Sequence, residues 1–351
     1  MIDNYHSGRG AQINTTNRFS ATEFVEAHIE GIDEHGNINH KRKIYLESPK
    51  EILSKNNSPD IPFTYSINPY QGCEHGCTYC YARNVHTYWG FSAGMDWENK
   101  IIVKKNAPEL LEKAFLRRSW QPQTIALSGN TDPYQPIEKQ MKITRELLKI
   151  FAKYRNPVGI ITKSALVARD VDLLSELADS GQVHVYFSIT TLDEKVRRAM
   201  EPRTSNAFKM MKSMKALSEA NVPVGVMMGP IIPSINDHEI DDILKAAADH
   251  GAVAASFTLA RFNGDVAEIF ADWLHKNFPD RASKVWNKVK SLHGGQVNDS
   301  RFVNRMRGEG KYADMIKAMY AKAKKKYFPE NKLSPLRSDR FRRKGNLNLF
   351  D

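Results

Sequence analysis

Residues 63–80 read FTYSINPYQGCEHGCTYC. The opening FTYSI is rich in β-branched and aromatic residues and reads as a strand. The loop behind it carries Cys73, Cys77 and Cys80, the only three cysteines among 351 residues. Outward from this stretch, short apolar runs recur at 124–128, 158–162, 183–189, 222–228 and 253–259. Segments of helical periodicity follow at 108–120, 137–154, 171–178, 207–220, 237–250 and 266–278. Repeated strand–helix units predict parallel strands with right-handed crossovers. Six units are too few for a closed eight-stranded barrel, so the expected fold is α/β, a partial (β/α)6 TIM-like barrel. Ligands would then sit at the C-terminal ends of its strands. A doubly wound open sheet has the same pattern and stays open at this point.

The expected organisation is an irregular N-terminal extension over 1–60 with a short strand at 43–46, the core over 61–279, and a C-terminal extension over 280–351 with one amphipathic helix at 312–327. Apolar residues at 41% and charged residues at 26% exclude a disordered or fibrous chain. No run approaches the about 18 apolar residues of a membrane span, so no membrane contact is expected. The first residues lack the apolar core of a secretory signal, which points to the cytoplasm. The net charge is +11, and residues 280–351 hold 19 Lys and Arg against 7 Asp and Glu. A near-neutral body with a basic C-terminal quarter suggests an anionic partner, DNA or RNA, against the plainer reading of a solvated basic surface.

Three clustered cysteines are not a disulfide framework. Three thiolates on one loop can share a single metal centre. A structural zinc would need a fourth ligand, and His75 and His86 give no familiar zinc spacing. A [4Fe–4S] cluster held by three cysteines leaves one iron open to a substrate or cofactor.

C-x3-C-x-(aromatic)-C after the first strand of a six-unit βα array resembles the radical S-adenosylmethionine (SAM) superfamily, over roughly residues 63–262. The resemblance implies a [4Fe–4S] cluster on Cys73, Cys77 and Cys80, with the amino and carboxylate groups of SAM on the open iron. It also implies a low-potential electron donor and cleavage of SAM to methionine and a 5′-deoxyadenosyl radical. Asn68-Pro-Tyr-Gln-Gly-Cys73, Tyr79-Cys80-Tyr81-Ala-Arg83, Thr131-Asp132-Pro-Tyr-Gln135-Pro-Ile-Glu138 and Thr162-Lys163-Ser164 are similar to the spore photoproduct lyase-like branch, often labelled DNA repair photolyases by analogy. The lyase itself returns a hydrogen atom from a fourth cysteine near the end of the second strand. Here that stretch is Leu127-Ser128-Gly129-Asn130, and no fourth cysteine exists, while the tyrosine pair Tyr79 and Tyr81 is kept as the candidate catalytic pair.

The same resemblance places Ser128, Thr131 and Asp132 near the SAM amino group, where Thr131 and Asp132 could equally cap the next helix. Lys163 and Ser188 would face the SAM carboxylate, and Glu201, in Glu201-Pro202-Arg203, is a ribose or structural contact. Met228, in the apolar, glycine-containing stretch 227–233, would lie against adenine, as would Tyr79. Arg261 contacts substrate or closes a salt bridge. The terminal Asn346-Leu-Asn-Leu-Phe350 is similar to sliding-clamp docking peptides, from which its two asparagines depart. The competing function is a nucleic-acid-binding protein whose metal is purely structural. Radical chemistry on a protein, RNA or small molecule is a further alternative.

Overall fold

The computed structural model describes residues 5–6, 8–16, 42–330 and 333–343; the clamp-like stretch 346–350 lies outside them. Ten strands form two sheets among these residues. A small sheet joins β1 (Lys43–Glu47), β5 (Lys100–Lys104) and β4 (Tyr70–Gln71) in the order β1-β5-β4. The large sheet contains β2 (Leu53–Lys55), β3 (Tyr65–Ile67), β6 (Ile125–Leu127), β7 (Val158–Thr162), β8 (Val183–Ser188), β9 (Val224–Ile231) and β10 (Ala254–Leu259). Its order is β10-β9-β8-β7-β6-β3-β2, and every pair is parallel except β2 with β3. From β3 to β10 the strands follow one another in space as in sequence. A doubly wound sheet reverses its order at a switch point. No reversal occurs here, so the architecture is the partial barrel.

The helices are α1 (Met95–Asn99), α2 (Ala107–Leu116), α3 (Glu138–Met141), α4 (Ile143–Tyr154), α5 (Val171–Asp179), α6 (Glu194–Met200), α7 (Ala207–Glu219), α8 (Ile240–Asp249), α9 (Asp265–Asn277), α10 (Ala282–Ser291), α11 (Asn304–Arg307) and α12 (Gly310–Tyr327). Alternation along the strands sends Ile125, Leu127, Val158, Ile160, Val185, Phe187, Val226 and Phe257 into one apolar core with Leu147, Phe151, Leu174, Leu217 and Leu244 of the helices. Burial of this layer is the main force holding barrel to helices.

The segment 137–154, one helix by periodicity, breaks in two. Lys142 adopts a left-handed conformation with φ of 55°. The buried Glu138 carboxylate causes the break, because it accepts the Thr144 N–H at 3.0 Å and so caps the second helix from inside the first. Beyond the barrel, α12 is not a free basic helix. Tyr320 packs on Phe257 with ring centroids 4.3 Å apart, and the Tyr327 hydroxyl donates to Asp241 at 2.7 Å. Lys322 and Lys325 stay in solvent, while Lys326, also exposed, stands 3.5 Å from Asp241.

Candidate active site: the cysteine loop and the strand ends

Strand β4 delivers the chain through Gly72 into the cysteine loop, which is held almost entirely by its backbone. Gln135 takes both sides of it: its amide donates to Gly72 O at 3.1 Å and its carbonyl accepts Glu74 N–H at 2.9 Å. Asn68 Oδ1 accepts the N–H groups of Asn130 and Thr131, and the Thr131 hydroxyl donates to Tyr70 O at 2.8 Å. The Tyr70 hydroxyl donates to Glu138. The motifs 68–73 and 131–138 are thus two halves of one brace.

On its other side the loop is gripped by Arg83, which no water reaches. Its guanidinium donates to Gly76 O at 3.0 Å and Cys77 O at 2.9 Å, to Ala93 O and Gly94 O, and to Glu98 Oε1 at 2.6 Å. Glu98 also accepts the N–H groups of Gly10 and Ala11, at 3.1 and 2.8 Å. The N-terminal segment therefore lies directly on the loop, and a Cβ at Gly10 would collide with Gly76 O. Gly76 itself sits at φ +70°, a conformation that glycine adopts without strain.

Next to Cys77, four predicted residues come together. Lys163 Nζ, at the end of β7, lies 3.0 Å from Glu201 Oε1 and donates to Thr190 Oγ1 at 2.7 Å, with Ser188 O at 3.4 Å and Gly229 O at 3.3 Å. It also sits 5.6 Å from the Tyr79 ring centre. The Tyr79 hydroxyl donates to Glu201. Burial opposes charge on Glu201, but Lys163, Thr190 and Tyr79 outweigh it and hold the carboxyl below its ordinary value. Burial pushes the Cys77 thiol up, reinforced by Glu201, and the Cys80 thiol up to about 11, reinforced by Cys73. Metal ligation removes such thiol protons outright.

Asp132 links this pocket to the loop. It accepts the Thr162 hydroxyl and the Lys163 N–H, both at 2.7 Å, and Tyr134 N–H at 2.8 Å. Its Oδ2 stands 3.4 Å from His75 Nδ1. Burial disfavours the imidazolium, yet Asp132 and Cys73 prevail and hold His75 up to about 10. Asp132 and Thr131 are thus bonded within the framework. Tyr81 is half exposed, its hydroxyl donating to Gly129 O. Ser128 donates its N–H to Ile67 O at 3.1 Å. Met228 is placed apart from the others: it is sealed in the helix-side core, while Met227 lies on the concave side beside Thr258. Arg261 meets Asn298 Oδ1 at 3.3 Å.

The donor set fits an iron–sulfur cluster. Cys80 packs against both the apolar group that holds Cys77 and the one that holds Cys73, so the three thiols are neighbours on one loop. His86 is turned away, its Nε2 against Asp96 O at 3.2 Å. Sequence reasoning gave no roles to Arg83, Glu98, Gln135 or Thr190. The first three act on backbone carbonyls and amides, which leave no mark in residue spacing. Thr190 lies two residues past the end of β8, and its place near a strand end was the available signal.

The Radical SAM superfamily profile matches residues 67–247. An uncharacterized protein of Mycobacterium tuberculosis is 31% identical over 242 residues, covering 67% of this chain and 71% of that protein. An uncharacterized protein of Methanocaldococcus jannaschii is 29% identical over 225 residues, covering 64% and 80%. In fold, the chain is similar to a spore photoproduct lyase mutant with bound AdoMet and dinucleoside spore photoproduct, with a TM-score of 0.54 and 16% identity over 86% of each chain. Enzymes of this class use SAM and an iron–sulfur cluster. With three free thiols at the barrel mouth and more than half of its length matched, this chain belongs to the radical SAM superfamily.

Proposed function

We propose that Cys73, Cys77 and Cys80 hold a [4Fe–4S] cluster, and that the enzyme uses SAM to attack a nucleic-acid substrate in the cytoplasm. When bound, the cluster supplies the electron that cleaves SAM into methionine and a 5′-deoxyadenosyl radical. The carrying observation is Lys163, a part-buried lysine next to Cys77 whose neighbours are Glu201, Thr190 and two backbone carbonyls. Lys163 would meet the SAM carboxylate, with Ser188 beside it and Tyr79 packing along the ligand. Glu201 would orient the lysine and a ligand hydroxyl. Met227, not its neighbour, faces the side on which adenine would lie.

Anaerobic reconstitution with iron and sulfide, then dithionite and SAM, tests the reading. Four irons per chain and release of 5′-deoxyadenosine are expected. Zinc in the anaerobically purified protein, or a reduced cluster that leaves SAM intact, would overturn it. The nucleic-acid part rests on the basic 280–351 segment and on exposed Lys322, Lys325 and Lys326. Binding of a single-stranded oligonucleotide that weakens steeply with salt is the expected result. Binding lost on replacing these three lysines would place the contact on α12. Oligonucleotide binding too weak to saturate at low salt would move the substrate to another class.

A further inference from the structure

Asn236 is sealed from water in the turn between β9 and α8. Its Oδ1 accepts the Ile232 N–H at 2.6 Å, and its Nδ2 donates to Pro230 O at 3.0 Å and to Thr190 O at 2.8 Å. The first two bonds close its own turn, as a buried asparagine ordinarily does. The third crosses to the loop behind β8. Three residues further on, Glu239 takes the same loop, accepting the Thr191 hydroxyl at 2.5 Å and the Leu192 N–H at 2.6 Å. The turn is itself fixed from outside. The Tyr312 hydroxyl of α12 donates to Asp237, and Lys288 Nζ of α10 donates to Ser234 Oγ at 2.8 Å.

What the Asn236 amide holds is the seat of Lys163. Lys163 Nζ donates to Thr190 Oγ1 at 2.7 Å and to Gly229 O at 3.3 Å, and Thr190 Oγ1 donates to the same Gly229 O at 3.3 Å. Asn236 grips the main chain of Thr190 itself and of Pro230, the residue after Gly229. Two of the groups that receive the lysine therefore depend on one side chain. The demand on that side chain is specific. A leucine would leave two carbonyls and an N–H without partners, and an ionised aspartate has no N–H to offer the carbonyls.

We propose that Asn236 is a positioning residue for SAM binding: by fixing Thr190 and the 229–230 main chain it sets where Lys163 Nζ stands against the SAM carboxylate. The inference rests on the reading of Lys163 given above. Asn236 acts only through the lysine. A loop that drifts carries Nζ off a charge-assisted bond, and such bonds weaken steeply when they lengthen or lose alignment.

Equilibrium dialysis of SAM against the reconstituted holoenzyme tests this, with the cluster left oxidised so that SAM is not consumed. Asn236→Ala and Asn236→Asp should each raise the dissociation constant for SAM about fivefold. On a Lys163→Met background the same changes should raise it no further, whereas for a merely structural asparagine the two losses would multiply. Thermal unfolding is read beside every variant, and Asn236→Asp, which keeps the native shape, serves if the alanine variant does not fold. SAM affinity unchanged in the folded Asn236 variants, or losses that multiply with that of Lys163→Met, overturns the proposal. A Lys163→Met enzyme that binds SAM as the unmodified one does overturns the carboxylate reading instead.

Discussion

Glu98 Oε1 stands 2.6 Å from Arg83 Nη2, with both side chains sealed from water. The pair holds the cysteine loop by the carbonyls of Gly76 and Cys77 and the N-terminal segment by the amides of Gly10 and Ala11. One ion pair therefore fastens two distant stretches of chain together.

Replacing Arg83 by Met should leave the buried Glu98 carboxylate with only the longer pairing to Arg203, at 3.6 Å, and destabilise the protein by about 3 kcal/mol. Urea unfolding of the metal-free chain measures the loss. Arg83→Lys keeps the charge but not the fork that reaches five acceptors, so it should recover only part of it. An unfolding midpoint unchanged in Arg83→Met would show that the loop is held by something else.

Lys163→Met should weaken SAM binding about tenfold or more, because a charge-assisted bond to the carboxylate disappears. The same change leaves Glu201 buried without its cation, so Glu201→Gln added to it should restore stability without restoring SAM affinity. Equilibrium dialysis against SAM, run beside thermal unfolding, separates the two effects.

The two neighbouring methionines should behave oppositely. Met228→Ala opens a cavity in the helix-side core and should cost about 2–5 kcal/mol. Met227→Ala should leave the unfolding midpoint nearly unchanged and raise the dissociation constant for SAM. Reversed results would mean that β9 presents its other face to the mouth.

His86 gives the fold a pH dependence. Its folded pKa, lowered by burial to about 4, lies below the value of 6.5 it has when unfolded. The unfolded chain therefore takes up the proton first. This contribution to stability is complete above pH 6.5 and is lost progressively as the pH falls toward 4, by up to about 3 kcal/mol. Urea titrations at pH 7, 5.5 and 4.5 should show a steeper decline for the native protein than for His86→Leu.

The barrel was legible because its strands are buried on one face and bounded by turn residues. The run at 158–162 corresponds residue for residue to β7. Two features escaped for definite reasons. The break at Lys142 comes from a buried carboxylate folding back on its own helix, which periodicity does not register. The facing of Met227 and Met228 depends on strand parity, and a shift of one residue inverts it. Within the site, the cysteines and the strand-end lysine were visible as residue types at the right places. Gln135, Asn68 and Arg83 stood in the quoted motifs without a role, since they serve main-chain atoms that any sequence supplies.

Because Gln135, Asn68 and Arg83 clasp the main chain and not the metal, the loop's shape does not depend on its cargo. An enzyme bleached by oxygen would be left as an intact mould, ready for fresh iron and sulfide without first being remade. For a protein of this chemistry, damage to the inorganic part and loss of the polypeptide become separate events.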